Sequence, residues 1–575
     1  MNEEKTLSEQ SKSKKITFFA AMLIVMGGSI GAGIFFKSKS VLSASHSSLI
    51  LAIFCWIIAS CAVICMALAL VEISSARNDN LSLIGWSKVF NSRKIFKASK
   101  NFMVYIYLPL TYLFMPLYVI MSLQDGVGAL MSAAGHSVDA WTFGTKADWA
   151  IWTVISLIMS VYFLTIPAIW SKVGDVQNKV VLAVKFLPLV FVGIIGFVLA
   201  FAGKGGVDKV HVSTVHPDGM LRYGASIADK NGMGAFFGVF LAISAIFFAY
   251  DGFYVAAGIQ SEMKEPKKTP RAIFWGLAIT TIIYLIIAIS MSLNGNGSFF
   301  GMLDYFTGWW GDKAGFIVFG LINVCISIGV LGILNGFSMW APRYVEDLMA
   351  EGELPLWSKY YKKLNPNKPF VGIVFSLALT LPIVLVFTLI GIVYIPNGDY
   401  SIYGSGMDKL YCFADLMANW TALFTFCFIA TAIVGGIINR KTNKVVTDKK
   451  RYFKITGIIA TIIVFAAMTV QILVPVVDMF ALAATNKWDY EFQSAMQVAG
   501  GGDALLPYVD LIVGRVMLVV TLLIFIGLSF GIGAIEDAVT KKKYGSIEKF
   551  EEYKKEFFAN PENFNPAYNT EKGSN

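Results

Sequence analysis

The stretch MGGSIGAGIF, residues 26–35, lies inside an uncharged run that extends from residue 16 to residue 36. It holds four glycines within seven residues, Gly27, Gly28, Gly31 and Gly33. Each glycine inside a helix costs about 1 kcal/mol relative to alanine, so the stretch predicts a membrane helix that unwinds near its middle. A second half-helix starting near Gly33 would offer unpaired N–H groups to a carboxylate. Close helix packing through Gly27 and Gly31 is the alternative interpretation.

A second interruption is predicted at FFAYDGFYVAAG, residues 247–258, where Asp251 and Gly252 follow the uncharged run 231–250. A carboxylate at that depth costs roughly 3 kcal/mol unless it meets water or a partner. The two interruptions fall in the first and sixth apolar runs. This spacing is expected of an inverted repeat of five helices whose interruptions face each other at the membrane midplane.

The rest of the chain is dominated by apolar runs. Its 575 residues are 56% apolar and 15% charged, with a mean hydropathy of +0.64, which excludes an ordinary soluble or disordered protein. Twelve runs lack Asp, Glu, Lys and Arg: 16–36, 40–71, 101–124, 149–171, 186–203, 231–250, 272–303, 314–342, 369–398, 416–439, 455–477 and 516–535. Since a membrane helix needs about 20 residues and the alternation of barrel strands is missing, we expect an all-α polytopic protein with 12 transmembrane helices.

Basic residues are distributed unequally between the two sides of these spans. If the N-terminus is cytoplasmic, 34 of the 47 Lys and Arg residues fall in cytoplasmic segments and 10 in the opposite ones. Because cytoplasmic loops carry the excess of Lys and Arg, both termini are predicted inside a cell (plasma) membrane. The net charge of +9 suits anionic lipid headgroups and requires no nucleic acid.

The motifs of enzymes and metal proteins are missing from the sequence. All six cysteines lie in predicted spans without a CxxC pair, and the four histidines are scattered, so neither a disulfide framework nor a metal site is expected. GxSxG, HExxH and the Walker lysine motif are also absent. We therefore expect a protein that is not an enzyme and needs no cofactor.

Three motifs together resemble the amino acid–polyamine–organocation (APC) superfamily of transporters. GSIGAGIF is similar to the glycine-rich break of that family's first helix. FFAYDGF followed by EMKEPKKTPRAI, residues 247–273, is similar to its sixth helix and following loop, and residues 326–355 resemble its eighth helix and the Gly-x-Leu-Pro turn. The resemblance covers spans 1 to 10. It implies the LeuT-like fold, a 5+5 inverted repeat with broken helices 1 and 6, and leaves spans 11 and 12 as additions.

The resemblance also implies where a substrate binds. The α-carboxylate of an amino acid is expected at backbone N–H groups around Ser29, Ile30, Gly31, Ala32 and Gly33. Its α-ammonium is expected at carbonyl groups at the positions of Phe248, Ala249 and Asp251. The electrostatics of a helix start and of unwound carbonyls favour the same arrangement.

Two of these side chains have more than one interpretation. The carboxylate of Asp251 either faces a cationic substrate group, favouring Lys, Arg or ornithine, or caps the second half of the sixth span. Phe248 either closes the site as an aromatic gate or only packs. Asp415 in span 10 contributes to selectivity or lies in a wet outer vestibule.

Lys185 lies one to two turns inside the fifth span and precedes a long uncharged run. At about 15 Å of helical rise from a start near Gly174 it is too deep to reach the interface easily. The resemblance implies a lysine that replaces the cation of sodium-coupled relatives and bridges span 1 and span 8 near Ser327. It is a candidate for proton coupling, for a structural tether, or for both.

The predicted organisation follows from these spans: a cytoplasmic N-terminus (1–15), a first repeat of spans 1–5 (16–202), an extracellular loop (203–230), a second repeat of spans 6–10 (231–439), spans 11 and 12 with an extracellular loop at about 475–510 (440–540), and a cytoplasmic tail (541–575). The tail is expected to form an amphipathic helix on the membrane surface and then to be disordered. The expected function is a secondary active amino acid permease that uses alternating access, with proton-coupled uptake (symport) as the first prediction. An obligate amino acid/polyamine exchanger (antiport) and a non-transporting amino acid sensor are the alternatives.

Overall fold

The computed structural model describes residues 17–31, 33–45, 48–77, 81–136, 138–205, 234–254, 263–394, 401–483, 487–488, 491 and 507–569. The labelled helices are α1 (Phe18–Ser29), α2 (Gly33–Ala44), α3 (Leu49–Ile73), α4 (Ser82–Phe90), α5 (Arg93–Phe102), α6 (Leu108–Ala133), α7 (Asp148–Ile169), α8 (Ser171–Phe201), α9 (Gly234–Tyr250), α10 (Thr269–Gly295), α11 (Leu303–Trp310), α12 (Asp312–Ala350), α13 (Phe370–Val393), α14 (Met407–Thr442), α15 (Phe453–Ala483), α16 (Tyr508–Ile526), α17 (Ile532–Tyr544) and α18 (Ile547–Ala559). Two helices of four residues, Trp357–Tyr360 and Pro566–Asn569, complete the α-helical elements within these ranges.

The described chain is all-helical apart from its loops, as the apolar runs predict. Ten helical segments in it are long and apolar enough to cross a membrane. The apolar parts of α1 and α9, Phe18–Gly27 and Gly238–Tyr250, are shorter. These two shorter helices fall on the first and sixth apolar runs, where the sequence predicts interruptions.

Local signals explain several helix ends. The Thr17 side chain accepts a hydrogen bond from the Ala20 N–H at the start of α1, and Ser48 caps α3 through the Leu51 N–H. Short π-helical segments, Met103–Tyr107 and Gly527–Gly531, connect α5 to α6 and α16 to α17. Such segments re-aim side chains, and Tyr107 at the end of the first one points into the site described below.

Helix α12 lies at the centre of the bundle and packs most extensively on α6 and α8. Helix α10 packs on α1, α3 and α8, while α9 packs on α2, α3 and α14. The interior is filled by large apolar side chains such as Trp56, Trp152 and Trp420, which are almost fully buried. Numerous exposed Leu, Ile, Val and Phe side chains on the bundle exterior fit a hydrocarbon environment.

Ion pairs across loops define two ends of the bundle. One end, called the proximal face, carries the segments 74–77, 351–369 and 443–452 and the C-terminal residues 532–569. There Arg77 pairs with Glu351, and the Arg440 guanidinium donates to the buried Glu72 carboxylate at 2.6 Å. The opposite end, called the distal face, carries the segments 134–147, 296–311 and 401–406.

Candidate binding site

The first interruption lies between α1 and α2. Helix α1 ends at Ser29, and Ile30 turns to an extended backbone with φ −76° and ψ 101°. Its N–H still donates to the Met26 carbonyl at 2.6 Å, and α2 begins at Gly33. The chain therefore leaves helical geometry within the stretch that the glycines mark. Ala32, one of the predicted binding residues, lies outside the described residues.

The second interruption follows α9. Asp251 and Gly252 form a turn after Tyr250, and Gly252 has φ +98°, a conformation that glycine adopts without a steric penalty. The Asp251 carboxylate accepts a hydrogen bond from the Gly252 N–H at 3.0 Å and from the Tyr107 hydroxyl at 2.6 Å. The Asp251 carboxylate thus lies on the cavity wall, held by these two hydrogen bonds, and the second half of the sixth span that it would cap lies outside the described residues.

The two interruptions meet in space. A Cβ atom built on Gly33 would lie 3.0 Å from the Ala249 Cα atom, so only a residue without a side chain permits this approach unchanged. The Tyr284 hydroxyl of α10 lies 2.6 Å from the Ser29 carbonyl oxygen and 2.8 Å from the Ala249 carbonyl oxygen. It also accepts from the Gly31 N–H at 3.4 Å. Since a phenol carries one hydrogen, it donates to one carbonyl at a time and links both interruptions.

Tyr284 is a residue that the sequence analysis missed. It is one tyrosine within an apolar run, and nothing in its neighbours separates it from an aromatic residue that only packs. Its ring is fully buried and lies edge-on to Trp56, with the ring centroids 5.7 Å apart. Only the three-dimensional meeting of α1, α9 and α10 reveals the role of its hydroxyl.

A cavity of about 730 Å³ opens beside these interruptions. The predicted binding residues that line it are Ser29, Ile30, Gly31, Gly33, Phe248, Ala249 and Asp251. Lys185 also lines it, and most of the remaining wall is apolar or aromatic, including Met115, Phe337 and Trp340. The volume lies within the usual range of about 300–1,000 Å³ for small-molecule sites. The structure therefore brings all the described candidate residues to one cavity.

The described cavity wall carries two charged side chains, Lys185 and Asp251. The Lys185 ammonium donates to the carbonyl oxygens of Gly27 and Ile30, each at 3.3 Å. It thus ties α8 to the last turn of α1. On the span 8 side of the expected bridge, a Cβ atom built on Gly329 would lie 3.7 Å from the Lys185 Cβ atom, and Ser327 donates to the Val119 carbonyl at 3.2 Å.

The distal end of the cavity is closed by a buried ion pair. Lys37 of α2 is fully buried and its ammonium lies 2.5 Å from the Asp415 carboxylate of α14. It also donates to the Tyr118 hydroxyl at 2.8 Å and lies 4.5 Å from the centre of the Phe248 ring. The sequence indicated no role for Lys37 and left two interpretations of Asp415 open. Their pairing depends on two helices that are remote in sequence.

The proximal side of the cavity is built differently. Leu23 of α1, Asn178 of α8 and Trp340 of α12 line it in that direction. The cavity therefore extends from the interruptions toward the proximal face. Within the described part of the chain, no three His, Cys, Asp or Glu side chains are grouped closely enough to hold a metal ion.

Comparison with known proteins gives a consistent match. The family model described as "Amino acid permease" matches residues 16–487. An uncharacterized protein of Mycoplasma pneumoniae is 49% identical over 570 residues, covering 96% of this chain and 99% of that protein. The serine/threonine exchanger SteT of Bacillus subtilis is 27% identical over 65% of this chain and 77% of its own length. The b(0,+)-type amino acid transporter 1 of Mus musculus is 21% identical, with 82% and 84% covered.

Proposed function

The chain belongs to the amino acid permease family, and we propose that it carries amino acids across the cell membrane as a secondary active transporter that works by alternating access. The observation that carries this proposal is the cavity at which the two helix interruptions meet under the Tyr284 hydroxyl. An interrupted backbone at membrane depth is tolerated where it lines such a cavity. It supplies polar groups for both charged ends of an amino acid.

In the proposed complex, the α-carboxylate binds at the start of α2, near Ser29, Ile30, Gly31, Ala32 and Gly33. The N–H groups in the first turn of a helix lack partners within that helix and carry partial positive charge. The α-ammonium binds on the opposite side, at the end of α9. Negative charge is provided there by the backbone carbonyls of Phe248 and Ala249 and by Asp251. The Phe248 side chain acts as the gate toward the distal face.

The proposed topology makes α1 and α2 the two halves of the first of twelve spans, and α9 the first half of the sixth. Spans 1–5 and 6–10 form the inverted repeat, and the last two spans are additions. The excess of Lys and Arg supports a cytoplasmic proximal face with both termini inside the cell. In this orientation, the buried Lys37–Asp415 pair closes the outer side and the cavity faces the cytoplasm.

The proposed energy source is a proton gradient, with Lys185 as the group that exchanges the proton. Its ammonium contacts two carbonyls at the first interruption, so a change in its charge would act directly on the backbone beside the substrate. If Lys185 stays charged throughout the cycle, the same structure would operate as an obligate exchanger of amino acids or polyamines. A sensor that binds without transport is the remaining alternative.

Asp251 is the proposed determinant of substrate charge. Its carboxylate lines the cavity and receives two hydrogen bonds from neutral donors, the Tyr107 hydroxyl and the Gly252 N–H. Asp251 is the anionic side chain of this wall, while the cationic Lys185 is bonded to the carbonyls of Gly27 and Ile30, so the wall favours substrates with a cationic side chain such as Lys, Arg or ornithine.

Counterflow in reconstituted vesicles tests the proposed function. Purified protein would be tested with the twenty amino acids, ornithine, putrescine and citrulline, which matches arginine in shape but lacks its charge. We expect exchange of at least one amino acid, arginine favoured over citrulline, and accumulation in empty vesicles under an inward proton gradient. Exchange without such accumulation would identify an exchanger. Saturable binding without any counterflow would contradict transport and favour the sensor.

A further inference from the structure

The C-terminal residues pack on the rest of the protein. Phe557 and Phe558 of α18 lie against Trp357, with ring centroids 4.8 and 5.3 Å away. Beyond the helix, the buried Asn565 side chain donates to the carbonyls of Tyr361 and Leu364 at 2.6 and 3.1 Å. The helix expected in the tail is therefore present as α18, and the chain after it is held in place as far as the short helix Pro566–Asn569, where disorder was expected. These residues are fixed to the segment that follows α12.

Glu353, in the segment after α12, is the centre of an ion-pair network on the proximal face. Its carboxylate accepts from Lys554 of α18 at 3.2 Å and from Lys88 of α4 at 2.8 Å. The Lys100 ammonium of α5 donates to the Glu353 carbonyl oxygen at 2.7 Å and to the Glu536 carboxylate of α17 at 2.9 Å. One acidic residue thus joins the end of α12 to two other helices and to the C-terminal segment.

Helix α17 adds a second set of contacts on the same side of the bundle. Asp537 accepts from Lys97 of α5 at 2.6 Å and from Arg93 at 3.3 Å. A Cβ atom built on Gly533 would lie 3.2 Å from the Lys97 Cβ atom, so α17 and α5 are in close contact. Residues 532–569 consequently hold α5 through α17 and hold the end of α12 through α18.

The two helices joined in this way lead to adjacent parts of the cavity wall, where the Tyr107 and Phe337 ring centroids lie 5.7 Å apart. Helix α5 continues through the π-helical segment into α6, where Tyr107 and Thr111 line the cavity. Helix α12 contributes Phe337 and Trp340 to the wall before it reaches the proximal face. Because both helices are stiff, a constraint on their proximal ends also constrains the separation of these side chains.

We propose that residues 532–569 form a clamp that fixes the proximal ends of α5 and α12 to each other, so that local opening of the proximal face between these two ends requires more free energy. Lys554 belongs to this clamp, whereas Lys88 and Lys100 reach Glu353 from α4 and α5. The clamp forms in the protein without substrate, so it does not depend on the proposed transport. Turnover by the variants depends on the proposed transport activity, whereas the rigidity of the proximal face does not.

Amide hydrogen exchange of the full-length protein without substrate tests the clamp. Lys554→Ala removes one cation from Glu353, and Lys555→Ala is the matched control because Lys555 is the neighbouring exposed lysine on α18. We expect exchange in residues 93–103 and 345–354 to become about tenfold faster or more in Lys554→Ala, because local opening requires less free energy. The control should match the wild type.

A second variant keeps the test independent of one side chain. Trp357→Ala removes the ring on which Phe557 and Phe558 pack, and we expect the same acceleration in the same two segments. If both variants accelerate exchange only within residues 547–569, the C-terminal segment is docked but does not clamp α5 to α12, and the proposal is overturned. If exchange becomes faster in both segments but the protein shows no counterflow, the clamp is supported and the proposed transport is rejected.

Discussion

Single residues at the cavity connect parts of the chain that are far apart in sequence. The Tyr284 hydroxyl contacts backbone groups of Ser29, Gly31 and Ala249, and the Lys185 ammonium contacts Gly27 and Ile30. Both side chains act on backbone at the interruptions, where the substrate is proposed to bind. Changes to these side chains should therefore affect binding or coupling more than folding.

Tyr284→Phe removes one hydroxyl and leaves the ring. We expect substrate affinity to fall by about 5- to 150-fold, because the hydroxyl no longer holds the two interruptions together in the free protein and ordering them on binding then costs about 1–3 kcal/mol. Substrate binding to the purified protein measures the effect. Tyr250→Phe is the matched control, since that buried hydroxyl bonds Ser60 and Thr281 at 2.8 Å and lies away from the interruptions' carbonyls. Equal losses in the two variants would contradict the assigned role.

Lys185→Ala should remove the dependence of uptake on a proton gradient and leave counterflow measurable. The reason is that exchange needs the substrate site but not the proposed proton carrier. Uptake and counterflow in vesicles at several pH values measure this, with the exposed Lys179→Ala on the same helix as control. Wild-type proton-driven uptake in Lys185→Ala would reject the coupling role.

At the scale of elements, α2 and α14 are held together at the distal end of the cavity. Lys37 and Asp415 come from these two helices, and Tyr118 of α6 donates to the same carboxylate at 2.9 Å. The ion pair is buried, so its charges depend on each other rather than on water. The Phe248 ring beside Lys37 connects this closure with α9 and the substrate site.

Lys37→Met should destabilise the protein by about 1–3 kcal/mol, because it leaves the partly buried Asp415 carboxylate without its cation. Adding Asp415→Asn should recover much of this loss, since the second change removes the uncompensated charge. Thermal unfolding of the wild type, both single variants and the double variant measures the coupling. Strictly additive effects would show that the pair does not hold α2 to α14.

At the scale of the whole molecule, the proximal face is held by a network in which Glu353 is central. Burial raises the pKa of its carboxyl, but Lys554, Lys88 and Lys100 together lower that pKa from 4.5 to about 2. A depressed pKa means that the ionised form stabilises the folded state above pH 4.5. This stabilisation is lost as the pH falls from 4.5 toward 2.

Glu353→Gln should therefore lower the free energy of unfolding by about 3 kcal/mol at neutral pH, from the size of the pKa change. The difference between variant and wild type should shrink below pH 4.5 and be nearly absent at pH 2. Unfolding measured across this pH range checks the expectation, with the exposed Glu556→Gln as control. A difference that does not vary with pH would contradict the ionic origin of the stabilisation.

The sequence predicted the positions of the interruptions better than the contacts around them. The glycines near residue 30 and the Asp-Gly pair after α9 are local signals, since helix propensity and backbone conformation depend on the residue itself. The pairings of Lys37 with Asp415 and of Lys554 with Glu353 had no local signal. In each pair the partners lie hundreds of residues apart, and many Lys and Asp or Glu residues could have been combined.

The sequence by itself determined that this is a helical membrane protein of the permease family, with candidate binding residues at two glycine-containing stretches. Hydrophobic run length and glycine placement carry that information because the bilayer imposes the same requirement on every span. Three features are visible only in the tertiary structure. The two stretches meet under Tyr284, Lys37 pairs with Asp415 beside the cavity, and the C-terminal residues contact both α5 and the end of α12. These contacts depend on how helices pack, and packing is set by the fit of whole surfaces rather than by any short segment.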